Sequence, residues 1–206
     1  MNNMLYYLVI GLLKVVALLP LRALYLISDL AFVIIFHIVK YRRKVVRANL
    51  DLVFGDKRSK QEIDKIEKEF FGYLCDSIFE TIKLLHISDK QMKKRLNVTN
   101  GQLMDEMSDR SQVVMLGHYC NWEWVQAISL FTNNDLVIGQ LYQPLSSKLM
   151  DRVMLKIRSR FGLENIPRDM AIRRLLGIER EGRHFLIGFI SDQRPAGPVK
   201  SYHNWV

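Results

Sequence analysis

The spacing of apolar residues divides the chain into three stretches, and the first of them is almost continuously apolar. It reads MLYYLVIGLLKVVALLPLRALYLISDLAFVIIFHIV and is interrupted mainly by Lys14, Pro20, Arg22, Asp29 and His37. Two complete spans are disfavoured, because each half is short and carries an ionisable group that is costly in a bilayer. One span or an in-plane hairpin fits better, and a buried helical pair of a soluble protein is the alternative. We therefore expect residues 1–40 to form a membrane anchor.

The second stretch, residues 41–110, has the periodicity of helices. Ser59-x-x-Glu62 matches a capping box, in which two side chains satisfy the first free N–H groups of a helix. From there a long amphipathic helix is predicted through about Leu85, because apolar residues recur every three or four positions. They are Ile63, Ile66, Phe70, Leu74, Ile78, Ile82 and Leu85. Residues 86–110 are predicted to be a surface connection with a short helix.

The third stretch, residues 111–206, alternates predicted strands with predicted helices. The strands are expected in SQVVMLGH, DLVIGQLYQ and HFLIGFISD, and the helices in NWEWVQAISLF, SSKLMDRVMLKIRSRFG and AIRRLLGIEREG. Such alternation predicts an α/β domain with βαβ units and a largely parallel sheet. Three strands make a thin sheet for so many helices, so we expect this core to be C-terminally incomplete.

Charge adds a preference for anionic partners. Lysine and arginine total 30 against 21 acidic residues, which gives a net charge of +9. The candidates are a membrane surface, nucleic acid, a phosphorylated lipid or an acidic carrier protein. The basic cluster KYRRKVVR follows the apolar stretch directly, as expected of an anchor flanked by the anionic cytoplasmic leaflet. Nucleic-acid binding has only the charge in its favour and no reading motif, so we expect no such partner.

The segment MLGHYCNWEW, residues 115–124, carries the candidate chemistry. His118 falls where a predicted strand ends, and Gly117 before it permits an unusual backbone conformation. Asn121 is a candidate N-cap, which puts Glu123 in the first helical turn. Across this strand–turn–helix the Glu123 carboxylate is predicted to reach the imidazole, fix its tautomer and leave the other ring nitrogen as a general base. The alternative is an incidental histidine beside a capped helix.

A nucleophile of the protein's own is not indicated. There is no G-x-S-x-G serine, and Cys120 lies only two residues from His118. The pattern therefore favours activation of a hydroxyl on a bound substrate, which attacks an acyl group directly. Neither a metal nor a cofactor is expected, since the five histidines are dispersed and lack ligand spacing. Two cysteines are too few for a disulfide scaffold and predict a reducing compartment.

The segment GHYCNWEW resembles the His-x4-Asp/Glu motif of the lipid A biosynthesis acyltransferases. At the position of Cys120, the family motif usually carries a small residue, mostly Gly. We expect this cysteine to be a small buried hydrophobe. The resemblance covers most of the chain in order and spacing. Its other parts are LPLRALYLISDLAFVIIFHIVKYRRKVVRANLDLVFGD, LYQPLSSKLMDRVMLKIRSRFG and HFLIGFISDQRPAG. Family members continue further, which again predicts a C-terminally incomplete core.

The resemblance implies a bacterial inner-membrane acyltransferase with its catalytic part on the cytoplasmic side. The implied fold is a glycerolipid-acyltransferase-like α/β core, with residues 41–110 as the helical N-terminal part of the catalytic domain. The implied reaction moves a fatty acyl chain from acyl carrier protein to a hydroxyl of a lipid A precursor, without a covalent acyl-enzyme. Another membrane glycolipid, phospholipid or aminolipid is an alternative acceptor. A non-catalytic, membrane-bound module that holds anionic lipid is the alternative class.

The resemblance also implies roles for individual residues. His118 is the implied general base with Glu123 as its partner, while Asn121 and Trp122 shape the motif. Four further side chains are candidates for polarising the thioester, binding the precursor's phosphates or organising the site: Arg158, Arg160, Arg168 and Asp192. For the arginines, a solvated basic helix face is the alternative.

Overall fold

The computed structural model describes residues 3–132 and 135–192 of the chain. Residues 1–2, 133–134 and 193–206 lie outside this description, and with them the QRPAG part of the family resemblance. The chain separates into two compact units, Met1–Ser88 and Asp89–Val206. This division follows packing contacts, whereas the expected segments 1–40, 41–110 and 111–206 follow composition.

The first unit is helical throughout its described part. Pro20, with an extended backbone (ψ 149°), separates its first two helices. The elements are α1 (Asn3–Leu18), α2 (Leu21–Phe32), a π-helix (Val33–Val39), α3 (Arg43–Phe54) and α4 (Lys60–Lys83). Helices α1, α2 and α3 all pack on α4, which therefore forms the centre of the unit.

The apolar stretch of the sequence is largely uncovered in this unit. Leu21–Val39 is a continuous helical run of 19 residues with a mean hydropathy of 1.9, long and apolar enough to cross a membrane. Large side chains such as Leu26, Leu30 and Ile38 remain exposed along it. Contiguous exposed apolar surface of this kind indicates association with a membrane.

Helix α4 confirms the predicted start but not the predicted buried face. Ser59 and Glu62 form the capping box in both directions. Phe70 and Ile78 of the expected apolar stripe are exposed, however. The buried face instead includes Ile63, Glu67, Phe71, Cys75 and Lys83. Apolar periodicity missed this face because two of its members are charged residues that form specific polar contacts.

Lys83 holds the turn between α1 and α2. Its Nζ donates hydrogen bonds to the backbone carbonyls of Ala17 and Leu19, each at 2.8 Å. These oxygens lie at the C-terminal end of α1, where carbonyls lack partners within the helix. Burial lowers the pKa of the Lys83 amine. The lysine thus acts as a C-terminal cap supplied from another helix.

The second unit is an α/β domain with a four-stranded, entirely parallel sheet in the order β1-β4-β2-β3. The α/β fold class is confirmed, with one strand more than the three predicted. The extra strand, Glu164–Pro167, is only four residues long and contains Asn and Pro, so it gives no strand pattern. The helices are α5 (Asp89–Lys93), α6 (Gln102–Glu106), α7 (Lys148–Arg158) and α8 (Ala171–Arg180), with 3₁₀ segments Trp122–Phe131 and Arg168–Met170. The strands are β1 (Gln112–Leu116), β2 (Val137–Tyr142), β3 (Glu164–Pro167) and β4 (Phe185–Ile190).

Apolar side chains cover both faces of the sheet. On one face, Ile178 of α8 packs with Val137, Ile166, Phe185 and Ile187. On the other face, Leu186 packs with Leu136, Met104 and side chains of the longer 3₁₀ segment. A parallel sheet covered on both faces leaves its strand ends accessible. All four carboxyl ends lie at one edge, and this edge positions the site.

Candidate active site

His118 and Asp192 meet because β1 and β4 are neighbours in the sheet. Leu116 of β1 is in register with Ile190 of β4, and the Ser191 N–H donates to the Leu116 carbonyl at 3.0 Å. His118 lies two residues after Leu116, and Asp192 lies two residues after Ile190. The His118 backbone N–H donates to Asp192 Oδ2 at 2.7 Å, and His118 Nδ1 lies 2.7 Å from Asp192 Oδ1. One carboxylate therefore binds both the backbone and the ring of the histidine.

The electrostatics of this pair favour an ionised aspartate. Hydrogen bonds from the His118 side chain, and then from its backbone N–H, hold the pKa of Asp192 below its usual value. The carboxylate in turn favours the tautomer in which Nδ1 carries the proton. The Trp122 ring packs edge-on against the imidazole, with centroids 4.9 Å apart. The Nε2 atom makes no hydrogen bond within the described ranges, so it is available to a substrate.

Glu123 does not hold the imidazole, which corrects the expected pairing within the motif. Its carboxylate instead forms a two-point ion pair with Arg158, where Arg158 Nε lies 2.9 Å from Glu123 Oε2 and Nη2 contacts Oε1. Only 11% of the Glu123 side chain and 18% of the Arg158 side chain are exposed. Burial lowers the pKa of Arg158, but the hydrogen bond and charge of Glu123 outweigh it and leave that pKa raised. Glu123 therefore orients a buried arginine, and Asp192 orients the histidine.

The turn between His118 and Glu123 differs from the predicted one in three details. Gly117 has no positive φ; a Cβ on it would lie 3.2 Å from Asp192 Oδ2, so the glycine leaves room for the carboxylate. The left-handed conformation falls on Cys120, whose φ of 51° lies in a region that favours glycine. Cys120 is exposed and not a buried hydrophobe. Asn121 precedes the 3₁₀ segment, but its side chain does not cap it.

The remaining predicted arginines fall in different places. Arg168 follows β3 and lines the same cleft as His118 and Arg158. Arg160 does not line it; this side chain lies 3.5 Å from Asp89 and over the Phe161 ring. The cleft also contains Tyr142, which was not among the predicted site residues. Burial, and to a smaller extent the negative charge of Asp151, raises the pKa of the Tyr142 phenol. The hydroxyl therefore stays protonated and can donate a hydrogen bond. The position of Tyr142 at the carboxyl end of β2 was the signal that could have identified it.

These side chains surround a cleft of about 530 Å³ at the carboxyl edge of the sheet. This is the size range of sites for small molecules and cofactors. An uncommitted histidine nitrogen, a phenol and two arginines share it. Within residues 3–132 and 135–192, no cluster of histidine, cysteine and acidic side chains is arranged to hold a metal ion. The arrangement can therefore take a proton from a bound hydroxyl and stabilise negative charge nearby.

Comparison with known proteins places the chain in an enzyme family. No curated protein matches the chain. The model of the family described as bacterial lipid A biosynthesis acyltransferase matches residues 1–200. The match includes the apolar stretch, the helical unit, the sheet and the cleft. The chain therefore belongs to the bacterial lipid A biosynthesis acyltransferases, enzymes that transfer acyl groups.

Proposed function

We propose that the chain transfers a fatty acyl group from acyl carrier protein to a hydroxyl of a lipid A precursor, with His118 as the general base. The observation that carries this proposal is the paired contact of Asp192 with the ring and backbone of His118. It orients a histidine whose second nitrogen is uncommitted. A base of this kind contributes about 10²–10⁴-fold to a rate.

The proposed reaction is direct transfer. His118 Nε2 accepts the proton of the acceptor hydroxyl as its oxygen attacks the thioester carbonyl carbon. A carbon–oxygen bond forms, the carbon–sulfur bond breaks, and the proton passes from Nε2 to the departing sulfur. No serine or cysteine side chain in the described part of the chain hydrogen-bonds to the His118 ring, which supports a mechanism without an acyl-enzyme.

Arg158 is proposed as the cationic donor of the cleft. Glu123 occupies its Nε and Nη2, and Nη1 has no partner among the described residues. A guanidinium fixed in this way donates to an anionic oxygen, either the oxyanion that forms during attack or a phosphate of the precursor. Tyr142 and Arg168 line the same cleft and are proposed as further substrate contacts.

The site is proposed to work at the inner membrane, on its cytoplasmic side. Membrane association is supported by the family and by the exposed apolar run Leu21–Val39. The basic residues that follow this run favour the side that carries anionic lipid and excess lysine and arginine.

The test is acyl transfer from labelled acyl carrier protein to a lipid A precursor by the full chain in membranes. His118→Ala is expected to reduce the rate roughly 10²-fold or more. His86→Ala, which removes an exposed histidine of the other unit, should leave the rate unchanged. Normal transfer by His118→Ala would contradict the proposed base. Transfer to a phospholipid or aminolipid in place of the precursor would contradict the proposed acceptor.

A further inference from the structure

A second cavity lies within the helical unit, apart from the residues used in the proposed reaction. It measures about 460 Å³. Its lining comprises five cationic residues and one acidic residue: Lys40, Arg42, Arg43, Lys44, Arg47 and Glu67. The lining begins one residue after the apolar run Leu21–Val39 ends. These residues bring positive charge to the cavity, while the aliphatic stems of the same side chains make most of its wall apolar. Such a lining fits an anion that carries an apolar chain.

Glu67 is the acidic residue of this cavity and pairs with two of its arginines. The carboxylate is 2% exposed and accepts from Arg43 Nε at 2.9 Å and from Arg47 Nη2 at 2.8 Å. A buried carboxylate is tolerated only with such partners, because removing its charge from water is costly. Asp64 binds Arg47 as well. Arg47 thus contacts two carboxylates, those of Asp64 and Glu67, which balance its charge. Arg43 contacts only the Glu67 carboxylate, which it shares with Arg47.

Arg43 is held so that one end of its guanidinium stays available. Its Nε is bound to Glu67, and the group lies over the Phe36 ring, 4.0 Å from the centroid. Neither terminal nitrogen has a hydrogen-bond partner within the ranges that the structure describes. Two parallel terminal N–H groups match two oxygens of a phosphate, and the fixed ring contact pre-orients them.

Three further cationic residues line the same cavity. Lys40, Arg42 and Lys44 are exposed, and none has an acidic partner in the described part of the chain. Lys40 and Arg42 have φ values of 54° and 51°, a region that normally favours glycine. The turn between the π-helix and α3 thus carries cationic residues at two positions where glycine would be less strained. Strain of this kind marks a site when other observations already point to one.

We propose that this cavity binds the phosphate of a membrane lipid headgroup. A lipid is favoured over an acidic carrier protein because exposed apolar residues, Ile38 and Val39, directly precede Lys40 and would lie beside the lipid's chains. The site uses Arg43, Lys40, Arg42 and Lys44 and none of the residues in the cleft of the α/β unit. The lipid-binding proposal can therefore be tested independently of the proposed reaction.

The experiment is calorimetric titration of the full chain, in non-ionic detergent, with dioctanoyl phosphatidic acid. Saturable binding is expected, and dioctanoylglycerol, which has no phosphate, should not bind. The triple variant K40Q/R42Q/K44Q should bind roughly ten- to a hundredfold more weakly, since each cation near a lipid surface contributes separately. Arg43→Lys keeps the charge but loses the fork, and should weaken binding at least about threefold.

Two variants serve as matched controls. K57Q/K60Q/K68Q removes three exposed lysines from the same unit, outside the cavity, and should leave affinity unchanged. Arg180→Gln, which removes an exposed arginine at the end of α8, should also leave it unchanged. Equal weakening by either control variant, or unaltered binding by K40Q/R42Q/K44Q, would overturn the proposal. Inorganic phosphate binding as tightly as phosphatidic acid would overturn the lipid source. Loss of acyl carrier protein binding in the triple variant, with lipid binding intact, would assign the cavity to the protein instead.

Discussion

Asp192 accepts two hydrogen bonds from His118, one from the backbone and one from the ring, each at 2.7 Å. The two residues are 74 positions apart, and the parallel pairing of β1 with β4 brings them together. The motif glutamate serves the buried Arg158 instead. The site thus contains two oriented pairs, which we propose serve proton transfer and the binding of negative charge.

The separate roles of the two carboxylates predict different effects of their removal. Glu123→Gln leaves Arg158 charged and poorly paired in a mostly buried position, so we expect a loss of about 3 kcal/mol in unfolding free energy. It should lower kcat/KM without altering the shape of its pH profile. Asp89→Asn, which removes the exposed carboxylate near Arg160, should cost less than about 1 kcal/mol. A pH profile for Glu123→Gln that matches Asp192→Asn would mean that Glu123 acts on His118.

The left-handed conformation of Cys120 predicts that Cys120→Gly is tolerated. Glycine relieves the strain at φ 51° and should raise the unfolding free energy by up to about 1 kcal/mol. Cys120→Val should lower it, because a β-branched side chain fits this conformation poorly. Thermal unfolding of the full chain in detergent compares the two. Acyl transfer should continue in Cys120→Gly; its abolition in a folded protein would indicate a covalent role for the thiol.

The Lys83 cap predicts a stabilising role for a buried charge. Lys83→Met leaves the carbonyls of Ala17 and Leu19 without this donor, and we expect a loss of about 2 kcal/mol. Lys68→Met changes an exposed lysine of the same helix and should have little effect. Thermal midpoints in one detergent test the difference. Equal midpoints for the two variants would show that the lysine contacts contribute no net stability.

Asp192 also predicts a pH dependence of stability. Its pKa in the folded state lies below the ordinary value of about 3.9, so the unfolded chain binds the proton more readily. The stabilisation is therefore complete above about pH 5 and is lost as pH falls through the folded pKa. Denaturant titrations should show the advantage of the wild type over Asp192→Asn shrinking as the pH falls from about 5 to about 3. A constant difference across this range would contradict the shifted pKa.

Much of the fold follows from local patterns in the sequence. The Ser59–Glu62 capping box, the three longer strands and the α/β alternation all appear where apolar periodicity and turn residues place them. Strand β3 was missed because four residues with Asn and Pro carry no such pattern. The buried face of α4 was misassigned because Glu67 and Lys83 are buried by specific partners, which hydropathy does not reveal.

Most of the residues that meet at the cleft could be named from the sequence, but Tyr142 could not, Arg160 lies outside the cleft, and the pairing differs. His118, Glu123, Arg158, Arg168 and Asp192 were all identified, and the structure places them around one cleft or beside its lining. Sequence proximity suggested that Glu123 holds His118. The actual partner depends on which strand lies next to β1, and strand order is a tertiary property that spacing along the chain does not contain.

The most direct test of the central claim is the rate of acyl transfer by Asp192→Asn in single-turnover experiments with labelled acyl carrier protein and a lipid A precursor. Asparagine keeps the shape of the side chain but loses the charge that fixes the His118 tautomer. We predict a rate at least about 10²-fold lower than wild type, measured on a variant that thermal unfolding shows to be folded at the assay temperature. A wild-type rate for Asp192→Asn would contradict the assignment of His118, oriented by Asp192, as the general base.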